Sequence, residues 1–351
     1  MSVAGKRVSW VELYLDLVFV LAVGRLAHVI VAEPAMRGVW IALGLFVTLW
    51  WTWIGFAVLY NRQGADERRP RLIFLAGSVP AGVAAVAIEP ASEGDSAVFA
   101  LSLAVTRLIL AGAHERGRTA RAYLTSAALF ALSIVVPEPW RYALWAIGIG
   151  IESSALLSRE RGAAEPLEPH HFAERFGLFL IILLGEVVIS AGEAPEDGTA
   201  GGWAALVAAM VLAATLWWLY FDAAAERNLR ALELAGGSPA MARAIFAAGH
   251  MLPAFALILT ASGLALLLEG DPPPFAYWLG SAGIGIYLAG TRVFLAARGR
   301  AGHIARVILL VATFQLAQLN DVLAPHEYVW LLMAWTLGCA ALATRQIAQE
   351  V

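Results

Sequence analysis

Apolar stretches of about twenty residues, separated by short polar turns, recur from one end of the chain to the other. They fall at about 10–31, 38–60, 70–88, 96–113, 121–136, 138–157, 172–191, 202–222, 242–268, 275–296, 304–323 and 327–344. A helix of about twenty residues spans hydrocarbon about 30 Å thick, and backbone groups in lipid must be satisfied internally. Each run therefore predicts a transmembrane helix, and the expected fold is all-α: a polytopic membrane helix bundle of about twelve transmembrane helices. The fifth run, at sixteen residues, is slightly short and could merge with the sixth into one broken hairpin.

Composition agrees with a lipid solvent. Sixty per cent of the residues are hydrophobic and 15% charged, and the mean hydropathy is +0.72, which excludes an ordinary water-soluble domain. Lys6 and Arg7 are followed by Glu12 and Asp16 and by no small-residue cleavage site, so the first span is expected to stay in the mature protein. Of the 24 basic residues, eighteen fall in the N-terminal segment, every second loop and the C-terminus; the alternate loops hold only Arg37 and Arg141. The positive-inside rule then puts both termini in the cytoplasm of a multi-pass protein of the bacterial inner membrane. The remaining four, Arg25, Arg107, Arg175 and Arg292, lie inside spans. With the basic residues committed to topology, a net charge of −3 leaves no surface for nucleic acid, and the expected partners are the lipid bilayer and a small solute or ion. The single cysteine, Cys339, excludes an internal disulfide and a cysteine metal cluster.

The chain also resembles itself. LAVTRLILA, at 103–111, recurs as LAGTRVFLA at 288–296. Further pairs follow in the same order: Glu12 with Glu174, the LWW ending at Trp51 with that ending at Trp218, Pro80 with Pro253, and Pro139 and Tyr142 with Pro325 and Tyr328. These predict two six-helix repeats, residues 1–157 and 158–351, related by an axis along the membrane normal. Pro80 and Pro253 fall near the middle of the third helix of each half. They are expected to kink or interrupt it, either as markers of a central pathway or simply as prolines of the kind membrane helices tolerate.

Charges in the spans set the candidate chemistry. Glu12 and Asp16 lie one turn apart on one face of the first span, at the same inner depth as Arg107, Arg175, Arg292 and Glu174. Glu12, Arg107, Glu174, Arg175 and Arg292 read as structural charge pairs that set helix registry. Asp16 has no counterpart in the second half, where Leu178 stands, and Glu186 corresponds to Gly24, so both are candidates for ion coupling. Arg175 and Glu186 share a face of the seventh span but sit about 16 Å apart, too far to pair. Glu186 could instead gather with His28, Asn320, Asp321 and Arg25 in the outer third to bind a cation or relay a proton, or Arg25 could merely neutralise it. His171 and Glu174 form an i, i+3 pair of the type found in di-metal bundles, but a single such pair predicts no metal site. No nucleophile elbow, phosphate loop, zincin motif or dinucleotide fingerprint is present, so neither catalytic residues nor a cofactor are expected.

VELYLDLVFVLAV at 11–23 and HFAERFGLFLIILLGE at 171–186 resemble the two signature segments of the low temperature requirement protein A (LtrA) family, and the LWW run of the second span fits as well. The resemblance implies a multi-helix bacterial inner-membrane protein, with Glu12, Asp16, His28, Glu174, Arg175 and Glu186 at the family's characteristic polar positions. The expected function is a transporter or channel for a small polar solute or ion with carboxylate involvement. The alternatives are a membrane-embedded enzyme acting on a lipid-linked substrate and a non-catalytic sensor or accessory subunit.

Overall fold

Ser9 opens the first helix with the glutamate half of a capping box, Ser-Trp-Val-Glu: Glu12 Oε2 accepts the Ser9 backbone N–H at 2.9 Å, while the Glu12 N–H donates to the Ser9 backbone carbonyl at 3.1 Å. From there a computed structural model describes residues 8–63, 68–114, 117–157, 168–192, 200–234, 238, 241, 243–269, 271–291 and 299–348; among them it is helical, with no strand. The helices of the first part are α1 (Trp10–Ala32), α2 (Met36–Gln63), α3 (Arg68–Val86), the short α4 (Ile88–Ser92), α5 (Ala97–Ala113), α6 (Arg118–Ser133) and α7 (Trp140–Leu157). There follow α8 (Pro169–Gly192), α9 (Ala200–Trp218), which passes through a π-type turn (Leu219–Ala224) into α10 (Ala225–Leu234), and a second π-type turn (Arg243–Ala248). The last are α11 (Met251–Leu268), α12 (Pro274–Gly290), α13 (Gly299–Gln315) with a terminal 3-10 turn (Leu316–Asp321), and α14 (Pro325–Ala348).

Among the described residues, six helical stretches are long and apolar enough to cross a membrane: Trp10–Ala32, Met36–Arg62, Gly201–Leu234, Arg243–Leu268, His303–Asp321 and Pro325–Arg345. The fifth and sixth runs form two separate helices, α6 and α7, rather than one broken hairpin. The polar sequence after α3 folds into α4 and a turn in which Gly94 takes a φ of +102°, a left-handed conformation that disfavours a side chain. The expected interruption at Pro80 does not occur, because α3 runs through it unbroken. Pro253 instead sits in the first turn of α11, where its missing N–H leaves no helical bond unmade, and the break lies just ahead of it at residues 249–250.

On α3 and α5, beside buried Phe74, Phe99, Leu103 and Leu110, small residues face inward and branched aliphatics outward. On α3 the bulky Leu72, Leu75, Val79 and Val83 point outward while Gly77, Ser78, Ala81, Ala84 and Ala85 are buried. On α5 Val98, Leu101, Val105 and Leu108 are outside, and Ala100, Ser102, Ala104, Thr106 and Arg107 inside. In hydrocarbon this costs nothing, since lipid tails are as apolar as leucine; small and polar residues let helices approach and bond one another.

The chain divides into two compact units. The first comprises Met1–Leu26, Ile41–Phe176 and Ala231–Ala247. Its centre is aromatic: Phe56 and Tyr60 of α2 meet Phe74 of α3 edge-on at 5.3 and 4.9 Å, and Trp53 meets Phe176 of α8 at 4.9 Å. The second comprises Ala27–Trp40, Gly177–Arg230 and Ala248–Val351. Its tightest seam is between α11 and α12, where a Cβ on Gly263 would lie 2.6 Å from the Gly280 nitrogen and 3.0 Å from its Cα. Tyrosine hydroxyls lock the rest: Tyr287 donates to Leu216 O at 2.9 Å, and Tyr328 donates to Tyr277 O at 3.0 Å.

Because backbone cannot retreat as a flexible side chain can, Gly263→Ala is expected to destabilise the protein by about 1–3 kcal/mol. Gly44→Ala, with nothing within 4 Å of the added carbon, is expected to be neutral or slightly stabilising. Thermal midpoints in detergent measure both, and equal midpoints would contradict the close seam.

Candidate functional site

The entry of α8 is built by α2. Glu168 precedes Pro169 at the helix start, and its Oε2 accepts the His171 backbone N–H at 2.6 Å, taking up one of the unpaired donors of the first turn. Asn61 holds this segment from α2: its Oδ1 accepts the Glu168 N–H at 2.9 Å, and its Nδ2 donates to Glu168 O at 3.1 Å. A backbone N–H can only donate, so the Asn61 amide has one orientation, and its Nδ2 also faces His171 Nδ1 at 3.0 Å. His171 Nδ1 is therefore an acceptor, the ring proton sits on Nε2, and Nε2 donates to Glu12 Oε2 at 3.2 Å. The Tyr60 ring stacks on the His171 ring, and its hydroxyl bonds to Ser9 Oγ.

One turn further into both helices, Arg175 Nη1 donates to Asp16 Oδ2 at 2.7 Å, and Trp53 Nε1 donates to Asp16 Oδ1 at 2.7 Å. Arg175 Nε faces Glu12 Oε1 at 3.5 Å, an electrostatic contact without hydrogen-bond geometry, and the guanidinium lies 5.4 Å from the centre of the Trp53 ring. Glu12, Asp16, His171 and Arg175 are all 0% exposed. The set links α1, α2 and α8 and reaches the part-buried Glu168 through the Asn61 bonds.

A second ion network belongs to α5, α6 and α7. Arg107 Nη2 donates to Glu152 Oε1 at 2.7 Å, Nε to Ser126 Oγ at 3.0 Å, and Nη1 to Thr52 Oγ1 and Leu103 O, each at 3.3 Å. The guanidinium carbon lies 4.1 Å from the Phe130 ring centre. Thr52 and Trp53 are neighbours in sequence, and successive side chains on a helix point about 100° apart. One turn of α2 thus serves both networks.

Glu12 and Arg175, the residues at the centre of the first network, lie in the two segments that carry the family signatures. The chain matches the family model described as bacterial low temperature requirement A protein (LtrA) over residues 7–344. It belongs to the LtrA family. An uncharacterized protein of Rhizobium meliloti (strain 1021) is 26% identical over 340 residues, covering 88% of this chain and 83% of that protein. No solved structure matches.

Within this LtrA chain the polar residues singled out from sequence separate. Glu12 lies against Arg175, but Glu174, expected in a charge pair, is exposed and makes no ion pair among the described residues, because it points about 100° around α8 from the buried Arg175. Arg107 pairs with Glu152 rather than with Glu12 or Glu174. Arg292 lies outside the described residues. Asp16, the ion-coupling candidate of the first span, is bonded by both Arg175 and Trp53. Of the residues expected in the outer third, Arg25 pairs with Glu89 at 2.7 Å, His28 and Asp321 are exposed, and Asn320 is half-buried. Glu186 is buried and accepts a hydrogen bond from Ser190 at 3.3 Å. His171 is engaged by Glu12 and Asn61, not by Glu174, and no three potential ligands converge on a metal position among the described residues.

The residues that sequence reading passed over are Glu152, Asn61, Glu168, Ser126 and Thr52. Glu152 did carry a signal, since it is the one acid within the apolar run of α7 and demands a cationic partner. The Ser9-to-Glu12 spacing likewise announced a capping box. The neutral hydroxyls and Asn61 carried none.

Removing one member of a buried pair strands the other charge. Glu152→Leu or Arg107→Met alone is expected to cost about 3–5 kcal/mol, and the two together much less. A double-variant cycle by thermal or denaturant unfolding in detergent tests this; additive losses would show that the two groups do not act as a pair.

Proposed function

We propose that this LtrA protein translocates a small polar solute or ion across the bacterial inner membrane, with carboxylates taking part. The observation that carries the reading is the Glu12–Asp16–His171–Arg175 network, buried at the ends of two predominantly apolar helices and continued by Asn61 to Glu168. A charge inside a spanning helix costs about 2.5–3.5 kcal/mol on insertion scales, so four ionisable groups in one place mark working machinery more than packing. The network also supplies a continuous string of donors and acceptors, which a polar cargo or a relayed proton needs and a single structural clamp does not.

The finer architecture belongs to the same proposal. Twelve spans in two parallel six-helix halves, 1–157 and 158–351, follow from the collinear repeats, and cytoplasmic termini follow from the basic loops. Asp16 and Glu186, the acids the repeat does not mirror, are the first candidates for coupling; Glu186 is a buried acid in the second unit.

Purified protein in liposomes, screened for ion-driven flux of small polar solutes, tests the reading. Asp16→Asn puts an amide donor opposite Trp53 or Arg175 and is expected to cost about 1–3 kcal/mol, so its folded fraction is measured first. At least one of Asp16→Asn and Glu186→Gln is expected to lose flux or its pH dependence while still folding. Wild-type transport in both variants would reject the role assigned to these acids. Reporter fusions at either terminus are expected to be active only in the cytoplasmic form.

A further inference from the structure

Four helices of the first unit turn on one side of it. The short links after α2 and between α5 and α6, with α5 packed against both α3 and α6, bring together the end of α2, the start of α3, the end of α5 and the start of α6. Arginines crowd there. Arg62 closes α2, Arg68 and Arg69 open α3, and Arg118 and Arg121 stand at the start of α6, where the N-cap, Gly117, has no side chain to cap the helix. All but the half-buried Arg62 are exposed. Elsewhere arginines take acids: Arg25 with Glu89, Arg37 with Glu33, Arg141 with Glu138 and Arg230 with Glu226. These five make no ion pair among the described residues, and Arg62 Nε is buried without a hydrogen bond. Counting every residue of the two turns, 62–71 holds four arginines against two acids and 114–121 three against one, so each is net positive by two. What this side of the unit lacks is an anion.

The apolar surface beside these arginines points to the kind of anion. Arg68, Leu72, Leu75 and Val79 follow one another at i, i+4, i+7 and i+11 down an exposed face of α3, and Arg121, Leu124, Ala128 and Leu132 at i, i+3, i+7 and i+11 down α6. Between these two helices α5 exposes Leu108 and, in its last turn, Gly112, where an added Cβ would meet nothing within 4 Å. The rise from Arg68 to Leu72 is about 6 Å, so charge gives way to hydrocarbon within about one turn. A free phosphate would use only the arginines, whereas a phospholipid uses both surfaces. We propose that the ends of α3, α5 and α6 bind an anionic phospholipid of the leaflet they face, its phosphate held by Arg68, Arg69, Arg118 and Arg121 over Gly112 and its acyl chains lying on Leu72, Leu108 and Leu124. Guanidinium forks take phosphate oxygens in pairs, and each arginine near an anionic membrane surface strengthens the attraction about fivefold. The site stands apart from the transport reading, because lipid occupancy is measured on the protein at rest.

Delipidated full-length protein in detergent, titrated with phosphatidylglycerol and followed by native mass spectrometry and thermal midpoint, tests this. Phosphatidylglycerol is expected to stay bound and raise the midpoint, and phosphatidylcholine and inorganic phosphate at the same concentration to do neither. Arg68→Gln with Arg69→Gln, and Arg118→Gln with Arg121→Gln, are each expected to weaken phosphatidylglycerol binding about tenfold or more. Arg37→Gln and Arg230→Gln, at arginines that have their own glutamates, are expected to leave it unchanged. If a glutamine variant does not insert, the wild-type protein decides: phosphatidylglycerol with a photoreactive acyl chain is expected to label α3, α5 and α6 around Leu72, Leu108 and Leu124. Equal retention of phosphatidylcholine, stabilisation by inorganic phosphate as strong as by the lipid, unchanged binding in either double variant, or labels confined to other helices overturns the proposal. Flux assays play no part in this outcome, so failure of the transport reading would leave it standing.

Discussion

The ion pair between Asp16 and Arg175, at 2.7 Å and closed to solvent, is the contact on which the rest of the first unit is arranged. It does little for stability by itself, since taking two charges out of water costs about as much as their attraction returns. Its force lies in what happens without it: either group alone would be a buried, unpaired charge, so only arrangements that bring α1 and α8 to one register are allowed. Trp53 completes the Asp16 shell from α2, and the cap of α8, written by Glu168 and Asn61, then falls where His171 can reach Glu12.

That constraint operates beside helices, α3 and α5, that turn many small residues inward and branched aliphatics outward. With small residues facing inward on α3 and α5, helices approach closely enough for arginine, serine and threonine side chains to bridge them. The outward leucines and valines meet lipid and contribute no attraction between helices. Polar contacts, which in a soluble protein are a minor share of the interior, here set which helices are neighbours.

The two networks use the same residue types in different proportion. Arg107 faces Glu152 one to one, with hydroxyls and the Phe130 ring filling the remaining directions, an arrangement closed on itself. Arg175 faces two acids, beside a histidine whose tautomer is imposed from α2. Neutral residues complete the first network, Asn61 above all, which holds the His171 ring from α2 while its other nitrogen faces Glu12.

Apolar runs of spanning length dictate helices, since lipid leaves the backbone no other way to satisfy its hydrogen bonds, and the acids and arginines inside those runs were bound to find partners. Membership in the LtrA family was likewise legible in the segments around Glu12 and Arg175. Which charge meets which was not. Depth along the membrane ranks groups but says nothing of their bearing around each helix, so Arg107 was as good a partner for Glu12 as for Glu152, and Glu174 looked as buried as Arg175. Rotation and neighbour choice come from packing many side chains at once. Only the assembled helices turned Glu174 outward, set Arg25 against Glu89, and placed a neutral asparagine where it fixes a proton on His171.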